Sequence, residues 1–146
     1  MSVDPSKDQL EKMKEHIEYE YKMLIHSGTR FLELSQDPTS NANDKNAYLE
    51  CFLLHLRVLD EFFSFKHEGK SEKEKKSKKD KRDDDVLVTH YSKQKFGALL
   101  TDVERENVNK RLAHLTLIRL ENKDNWPIDD LINKAEASWK KLQEIM

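Results

Sequence analysis

Residues 46–63, NAYLECFLLHLRVLDEFF, limit most strongly how this chain can fold. On a helix that turns by about 100° per residue, one narrow stripe carries Asn46, Glu50, Arg57 and Glu61, and apolar side chains cover most of the remaining circumference. A helix that is apolar nearly all round is either a membrane span or the buried centre of a bundle. Because the charged stripe makes a poor span, the sequence predicts a core helix enclosed by other helices.

The polar stripe of this helix is the first candidate site. Polar groups inside a core need hydrogen-bond partners, and Glu50 and Arg57 lie two turns apart on one side, so each is expected to meet a partner on another helix. Arg119 is the candidate partner for Glu50. Together with Asn46 and His55, these residues form a candidate binding set. The alternative is a polar network that fixes helix register, beside a core histidine that is already hydrogen-bonded.

Composition supports an all-α fold. The 146 residues include only three Gly and three Pro, and 37% of them are charged, which favours long helices with few turns. This length suits one domain, residues 1–146, with a single core. We predict an up-and-down bundle of four main helices with one extra short helix.

Capping and periodicity place the helices. Asp4 and Pro5 predict the start of a long first helix that ends near Leu34, and Ser27-Gly28 in its middle predicts close packing against a neighbour. Residues 86–100 are expected to form a short helix followed by a docked loop. Thr101 and Glu104 match a capping box, so a helix should run from residue 102 to about 121, and Pro127 should open the last helix.

A charged stretch interrupts this pattern at residues 66–85, KHEGKSEKEKKSKKDKRDDD. It has too little apolar surface to offset the entropy lost on ordering, so it is predicted to be a mobile, solvated loop. Six basic residues between Lys75 and Arg82 form a candidate phosphate-binding patch, which the three aspartates at 83–85 counterbalance. The stretch has no aromatic residue on which a base could stack.

Overall charge and cysteine content exclude several classes of function. Lys and Arg total 26 against 28 Asp and Glu, so the net charge of −2 makes no whole-molecule case for nucleic acid or an anionic membrane. The single Cys51 excludes an internal disulfide and suits a reducing compartment. No leader-like segment and no long apolar run occurs, so a cytoplasmic protein without a membrane span is expected.

A second candidate site lies on the predicted helix 102–121, where Asn109, Arg111, His114 and Arg119 are spaced along two polar faces. A histidine exchanges protons near neutral pH, and an arginine beside it can stabilise a phosphorane-like transition state. That pair would suffice for RNA cleavage without a metal. The alternative is a histidine that only hydrogen-bonds to a neighbouring helix.

Other enzyme classes find no support in the motifs. The six histidines show no HxxxH or ExxH spacing, so no metal site is predicted. There is no Gly-rich phosphate loop and no nucleophile elbow, and no cofactor is expected.

The strings NAYLECFLLHLRVLDEFF, DDDVLVTHY and NKRLAHLTLIR resemble a group of small bacterial helical proteins. That group shares patterns like N-x-x-L-E-x-F-x-x-H-x-R-x-L-x-x-F-F and N-x-x-x-x-H-L-T-x-x-R. The matching positions span residues 46–119, and they include Asn46, Glu50, His55, Arg57, Asn109, His114, Thr116 and Arg119. The resemblance implies no established activity.

More distantly, the expected bundle resembles the HEPN superfamily, whose ribonuclease members carry an arginine, a short spacer and a histidine, and commonly dimerise to form the site. Here Arg111 and His114 are only three positions apart, and Asn109 stands at the offset where the arginine would be. The resemblance therefore implies the bundle more strongly than the chemistry.

Two functions are expected from the sequence. The first is a non-enzymatic helical module that acts by binding, as a homo-oligomer joined through the apolar excess of its central and terminal helices. The alternative is a HEPN-like, metal-independent ribonuclease in which His114 is the acid and base, Arg111 or Arg119 stabilises phosphate charge and Asn109 orients the substrate.

Overall fold

The computed structural model describes residues 4–64, 85–113 and 126–146. Helix α1 spans Lys7–Gln36, α2 spans Ala42–Ser64, α3 spans Asp102–Ala113 and α4 spans Ile128–Gln143, with a 3₁₀ helix at Val88–His90. No strand occurs in these ranges, and the prediction of an all-α bundle is confirmed. Apart from Asp85, the predicted charged loop lies outside the described residues, as does the predicted helix beyond Ala113.

Helices α1 and α2 form an antiparallel hairpin joined by residues 37–41. Arg30, late in α1, lies over the ring of Tyr48, early in α2, at 5.6 Å from its centroid. Glu20, near the middle of α1, hydrogen-bonds to His55, further along α2. The two helices therefore run in opposite directions along their contact.

Helices α3 and α4 complete the up-and-down order. Residues further along α3 contact residues nearer the start of α2, so α2 and α3 are antiparallel. The contacts between α1 and α4 follow the same rule, so these two helices are also antiparallel. The pairs that set these directions are Asp60–Arg105, Glu50–Arg111, Tyr21–Trp139 and Gly28–Ile132.

The centre of the fold is α2, as the sequence predicts. Nine of its residues are buried, and fully burying a large apolar side chain stabilises the fold by roughly 1.5–3 kcal/mol. The other helices add the apolar faces that their periodicity predicts. The most deeply buried apolar residues of α2 are Leu49, Phe52, Leu53, Leu56, Leu59 and Phe63.

The prediction that the polar stripe of α2 is enclosed is wrong. Asn46 is exposed, the Glu50 side chain is 53% exposed, and Arg57 and Glu61 are partly exposed. Helix α2 packs against α1 on one side and α3 on the other, and the arc between these neighbours remains open. The stripe lies in that arc because a bundle with up-and-down order leaves every helix one outward side.

Helix α1 starts later than predicted, with Ser6 as its N-cap. The Ser6 hydroxyl accepts the amide of Gln9 at 3.1 Å, and the Gln9 side chain accepts the amide of Ser6 at 2.8 Å. This reciprocal capping box satisfies two free amides, whereas Asp4 could satisfy only one. The predicted box of α3 is confirmed, since Thr101 and Glu104 exchange the same two bonds at 3.0 and 3.1 Å.

Residues 85–101, which we call the connector, cross one end of the bundle. The 3₁₀ helix followed by a docked loop confirms the prediction for this stretch. The hydroxyl of Tyr91 donates a 2.7 Å hydrogen bond to the carbonyl of Leu10 in α1. Near its far end, the amides of Leu99 and Leu100 donate to Asp60 of α2. The connector is thus fastened to both helices of the hairpin.

Close packing at Ser27-Gly28 is also confirmed. A Cβ added to Gly28 would lie 2.7 and 2.8 Å from ring carbons of Phe52 and 3.0 Å from Cδ1 of Ile132. Both Ser27 and Gly28 are buried. Glycine is therefore required where α1 packs against Phe52 of α2 and Ile132 of α4.

We predict that Gly28→Ala destabilises the protein although alanine is the better helix former. The gain in helix propensity is about 1 kcal/mol, but the overpacking against the fully buried Phe52 ring costs about 1–3 kcal/mol. Urea denaturation should show a net loss. Gly97→Ala is the matched control, since nothing lies within 4 Å of its added Cβ, and it should leave stability unchanged or slightly higher. Equal midpoints for the two variants would contradict the packing argument.

Candidate functional site

The only buried carboxylate among the described residues belongs to Asp60, whose side chain is 0% exposed. Its Oδ1 accepts the amides of Leu99 and Leu100, both at 3.0 Å. Arg105 of α3 donates from Nε to Oδ2 at 2.7 Å and from Nη2 to Oδ1 at 3.2 Å. Four donors therefore satisfy a charge that would otherwise be prohibitively costly to bury.

Arg105 joins this cluster to the start of α3. Its remaining donors reach Asp102 at 2.7 Å and the carbonyl of Leu100 at 3.1 Å. The hydrogen bond to Asp60 raises the pKa of Arg105, which keeps the guanidinium charged. Because both groups are fully engaged, the pair is a structural anchor that holds the connector and α3 against α2.

The two charges of the predicted stripe have different kinds of partner, and Arg119, the predicted partner of Glu50, lies outside the described residues. Glu50 does meet a partner on another helix, Arg111 of α3, at 3.0 Å. Arg57 instead contacts Glu61 of its own helix, at 3.6 Å. Partly exposed pairs of this kind contribute only about 0–1 kcal/mol each. The structure brings Glu50 and Arg111 together from the two predicted sets but leaves Asn46 on the surface, apart from them.

His55, from the predicted binding set, is buried between α1 and α2. Its Nδ1 hydrogen-bonds to a carboxylate oxygen of Glu20, and its ring meets that of Tyr19 edge-on with centroids 5.8 Å apart. This is the arrangement of a core histidine with its own partner. Its ring also links the surface ring of Tyr19 to the interior of the hairpin.

The second predicted site lies at the end of α3. Oδ1 of Asn109 is buried and accepts no hydrogen bond, whereas Arg111 is held by Glu50. His114 and Arg119 lie outside the described residues. Their predicted roles therefore stay predictions.

An open groove lies between α1 and α2, and the polar stripe did not predict it. Val58 of α2, 40% exposed, lines it, and Leu54, 49% exposed, lies one turn before Val58 on the same helix. Tyr19 of α1, which meets the ring of His55 edge-on, is 53% exposed. Beyond Val58 the groove deepens into a cavity of about 210 Å³, which the connector closes at one end. Leu54 and Val58 share the open arc with the polar stripe, and that clustering was visible on the helical wheel.

Within the described residues, no three His, Cys, Asp or Glu side chains converge closely enough to hold a metal ion. Nor does any described helix have the length and apolar character needed to cross a bilayer.

We predict that Asp60→Ala and Arg105→Ala each lower the free energy of unfolding by about 3–5 kcal/mol, because each strands the other's buried charge. The double variant should lose less free energy of unfolding than the two single variants lose together. A double-mutant cycle from urea titrations would measure the difference. Asp102→Ala is the control: this carboxylate also pairs with Arg105 but is 86% exposed, so its loss should cost less than about 1 kcal/mol. Strictly additive losses would refute a coupled anchor.

A comparison of the chain with protein-family models, with curated proteins and with solved structures finds no match in any of the three.

Proposed function

We propose that this chain is a non-enzymatic helical module that acts by binding, and that its first partner is a second copy of itself, docked through the open face of α2. The observation that carries the proposal is the exposure of Leu54 and Val58, one turn apart, on the helix that otherwise builds the core. Contiguous exposed apolar side chains are a feature of interaction surfaces. Tyr19 of α1 is 53% exposed as well, and tyrosine is a residue type enriched at interfaces.

The charges around this patch favour a second copy over an unrelated partner. Glu50 and Arg57 lie on the same side of α2, two turns apart, with Leu54 between them. If two α2 helices cross antiparallel about a two-fold axis near Leu54, Glu50 of each copy lies opposite Arg57 of the other. A two-fold interface needs such self-complementarity, and both side chains are exposed enough to exchange partners.

Replacement of Leu54 by Lys tests this interface. The substitution keeps a good helix former and places like charges face to face near the axis. We expect the wild-type chain of 17.3 kDa to sediment as a dimer and Leu54→Lys as a monomer with an unchanged helical spectrum.

Val103→Lys is the matched control, because Val103 is 69% exposed on α3, away from the patch, and its replacement should leave the dimer intact.

Cys51, the only cysteine of the chain, is partly buried one turn before Leu54. A short bismaleimide should therefore crosslink wild-type copies and fail to crosslink Leu54→Lys. A wild-type chain that stays monomeric at high concentration would refute the proposal.

A metal-independent ribonuclease is the second candidate function. The observation in its favour is the buried Asn109 Oδ1, an acceptor without a donor on the helix that leads toward His114. The ion pair between Arg111 and Glu50 weighs against it, since the arginine is already engaged.

Incubation with single-stranded RNA in the presence of a chelator separates the two functions. The binding module predicts no cleavage by the wild-type chain. Cleavage that disappears in His114→Ala would replace our proposal with the ribonuclease, whereas cleavage that persists in this variant would point to a contaminant.

A further inference from the structure

The cavity at the end of the α1–α2 groove combines apolar walls with acidic groups. It has a volume of about 210 Å³, and side chains such as Ile17, Leu59 and Phe62 form its apolar wall. An engineered apolar cavity of roughly 150 Å³ is known to hold benzene. The space therefore suits a body a little larger than one aromatic ring.

Three carboxylates line this cavity, and each comes from a different segment: Glu20 from α1, Glu61 from α2 and Asp85 from the connector. Among the described residues, His16 is the only lining side chain that can carry a positive charge, and no lysine or arginine joins it. The polar part of the lining is thus mostly carboxylate, although Glu20 also hydrogen-bonds to His55 and Glu61 also contacts Arg57. Small-molecule sites commonly pair an apolar lining with a few convergent polar groups.

The surroundings of Glu61 disfavour its charged form. Burial raises the pKa of Glu61, the nearby Arg57 lowers it, and the negative charges of Asp85 and Asp60 raise it further. A positively charged group in the cavity would offset both the burial and the repulsion. Residues that are unfavourable for stability are typical of functional sites.

The arrangement of the carboxylates does not suit a bare metal ion. They do not form a group of three or more ligands close enough to coordinate one, within the part of the chain that the structure describes. A metal ion would also gain nothing from the apolar wall. An ammonium group attached to an apolar body would use both features.

We propose that this cavity binds a small organic cation, a primary amine on an apolar body about the size of one aromatic ring. The ammonium group lies toward Glu61, and the apolar body lies against the wall formed by α1 and α2. This site goes beyond the proposed self-association. It shares Val58 with that surface, whereas Leu54, at the centre of the surface, does not line the cavity.

Three probes that share a phenyl ring and differ in charge test the site: 2-phenylethylamine, 2-phenylethanol and 3-phenylpropionate. Each would be titrated into the full-length protein at pH 7.5 and followed by amide chemical shifts. We expect the amine to bind at least five-fold more tightly than the alcohol, with the shifts centred on residues around the cavity, and the acid to bind most weakly. Equal affinities for amine and alcohol, or no binding by the amine, would overturn the proposal.

Glu61→Gln isolates the role of the charge. This variant should bind the amine at least five-fold more weakly than the wild type and bind the alcohol with unchanged affinity. Its melting temperature at pH 7.5 should not fall. The expected direction of the stability change follows from the raised pKa of Glu61. A carboxyl with a raised folded-state pKa opposes folding once the pH rises above its unfolded-state pKa. Removing that charge therefore leaves stability equal or higher, so lost binding would not reflect unfolding.

Glu18→Gln is the matched control. Glu18 is a carboxylate of α1 that pairs with Lys22 at 2.8 Å and does not line the cavity, so its variant should bind the amine as the wild type does. Leu54→Lys should also retain amine binding, which separates a failure of this site from a failure of self-association. An equal loss in Glu18→Gln and Glu61→Gln would show that the amine responds only to general surface charge and would refute the site.

Discussion

The carboxylate of Asp60 joins α2, the end of the connector and the start of α3 within the core that Leu99, Leu100 and Val108 also form. It lies on the buried side of α2, and its partners come from the end of the connector and from the first turn of α3. A carboxylate without solvent contact must be matched by donors, and here two backbone amides and one guanidinium supply them. The position of α3, the path of the connector and the closed end of the groove all depend on this cluster.

The connector links that anchor to the surface where we place function. It is fastened to α2 through Asp60 and to α1 through the hydroxyl of Tyr91, so it spans the end of the hairpin. Asp85 and its neighbours thereby line the cavity between the two helices. A buried structural interaction thus determines the shape of an open site that lies on the other side of the connector.

Much of this fold could be predicted because its signals are local. The capping box at Thr101 and Glu104 depends on residues three positions apart, and the need for a small residue at Gly28 depends on one missing side chain in an apolar helix. The core faces of α1, α2 and α4 follow from helical periodicity. Such features are decided within one or two turns of chain.

The anchor and the open face were missed because they depend on which neighbours a helix has. A helical wheel orders the side chains of α2 around its axis but does not state which arc its neighbours cover. Asp60 lies among Leu53 and Leu56 on that wheel, which was the available signal for its burial. Arg105, its partner, is 45 positions away, and no spacing rule connects them. The polarity of the stripe favours an outward arc, since solvent-facing arcs of helices are ordinarily polar.

Asp60 and Glu61 are adjacent in the sequence, but they differ in how far other groups of the protein satisfy their hydrogen bonds. This difference separates a structural carboxylate from a candidate binding group. Every oxygen of Asp60 is matched by donors within 3.2 Å, so the group is complete without a ligand. Glu61 faces the groove, is partly buried and has Arg57 as a contact at 3.6 Å. A carboxylate that is desolvated but incompletely paired favours an incoming cation, whereas one that is fully paired resists it. For this reason we place a ligand in the groove and not at the more deeply buried anchor.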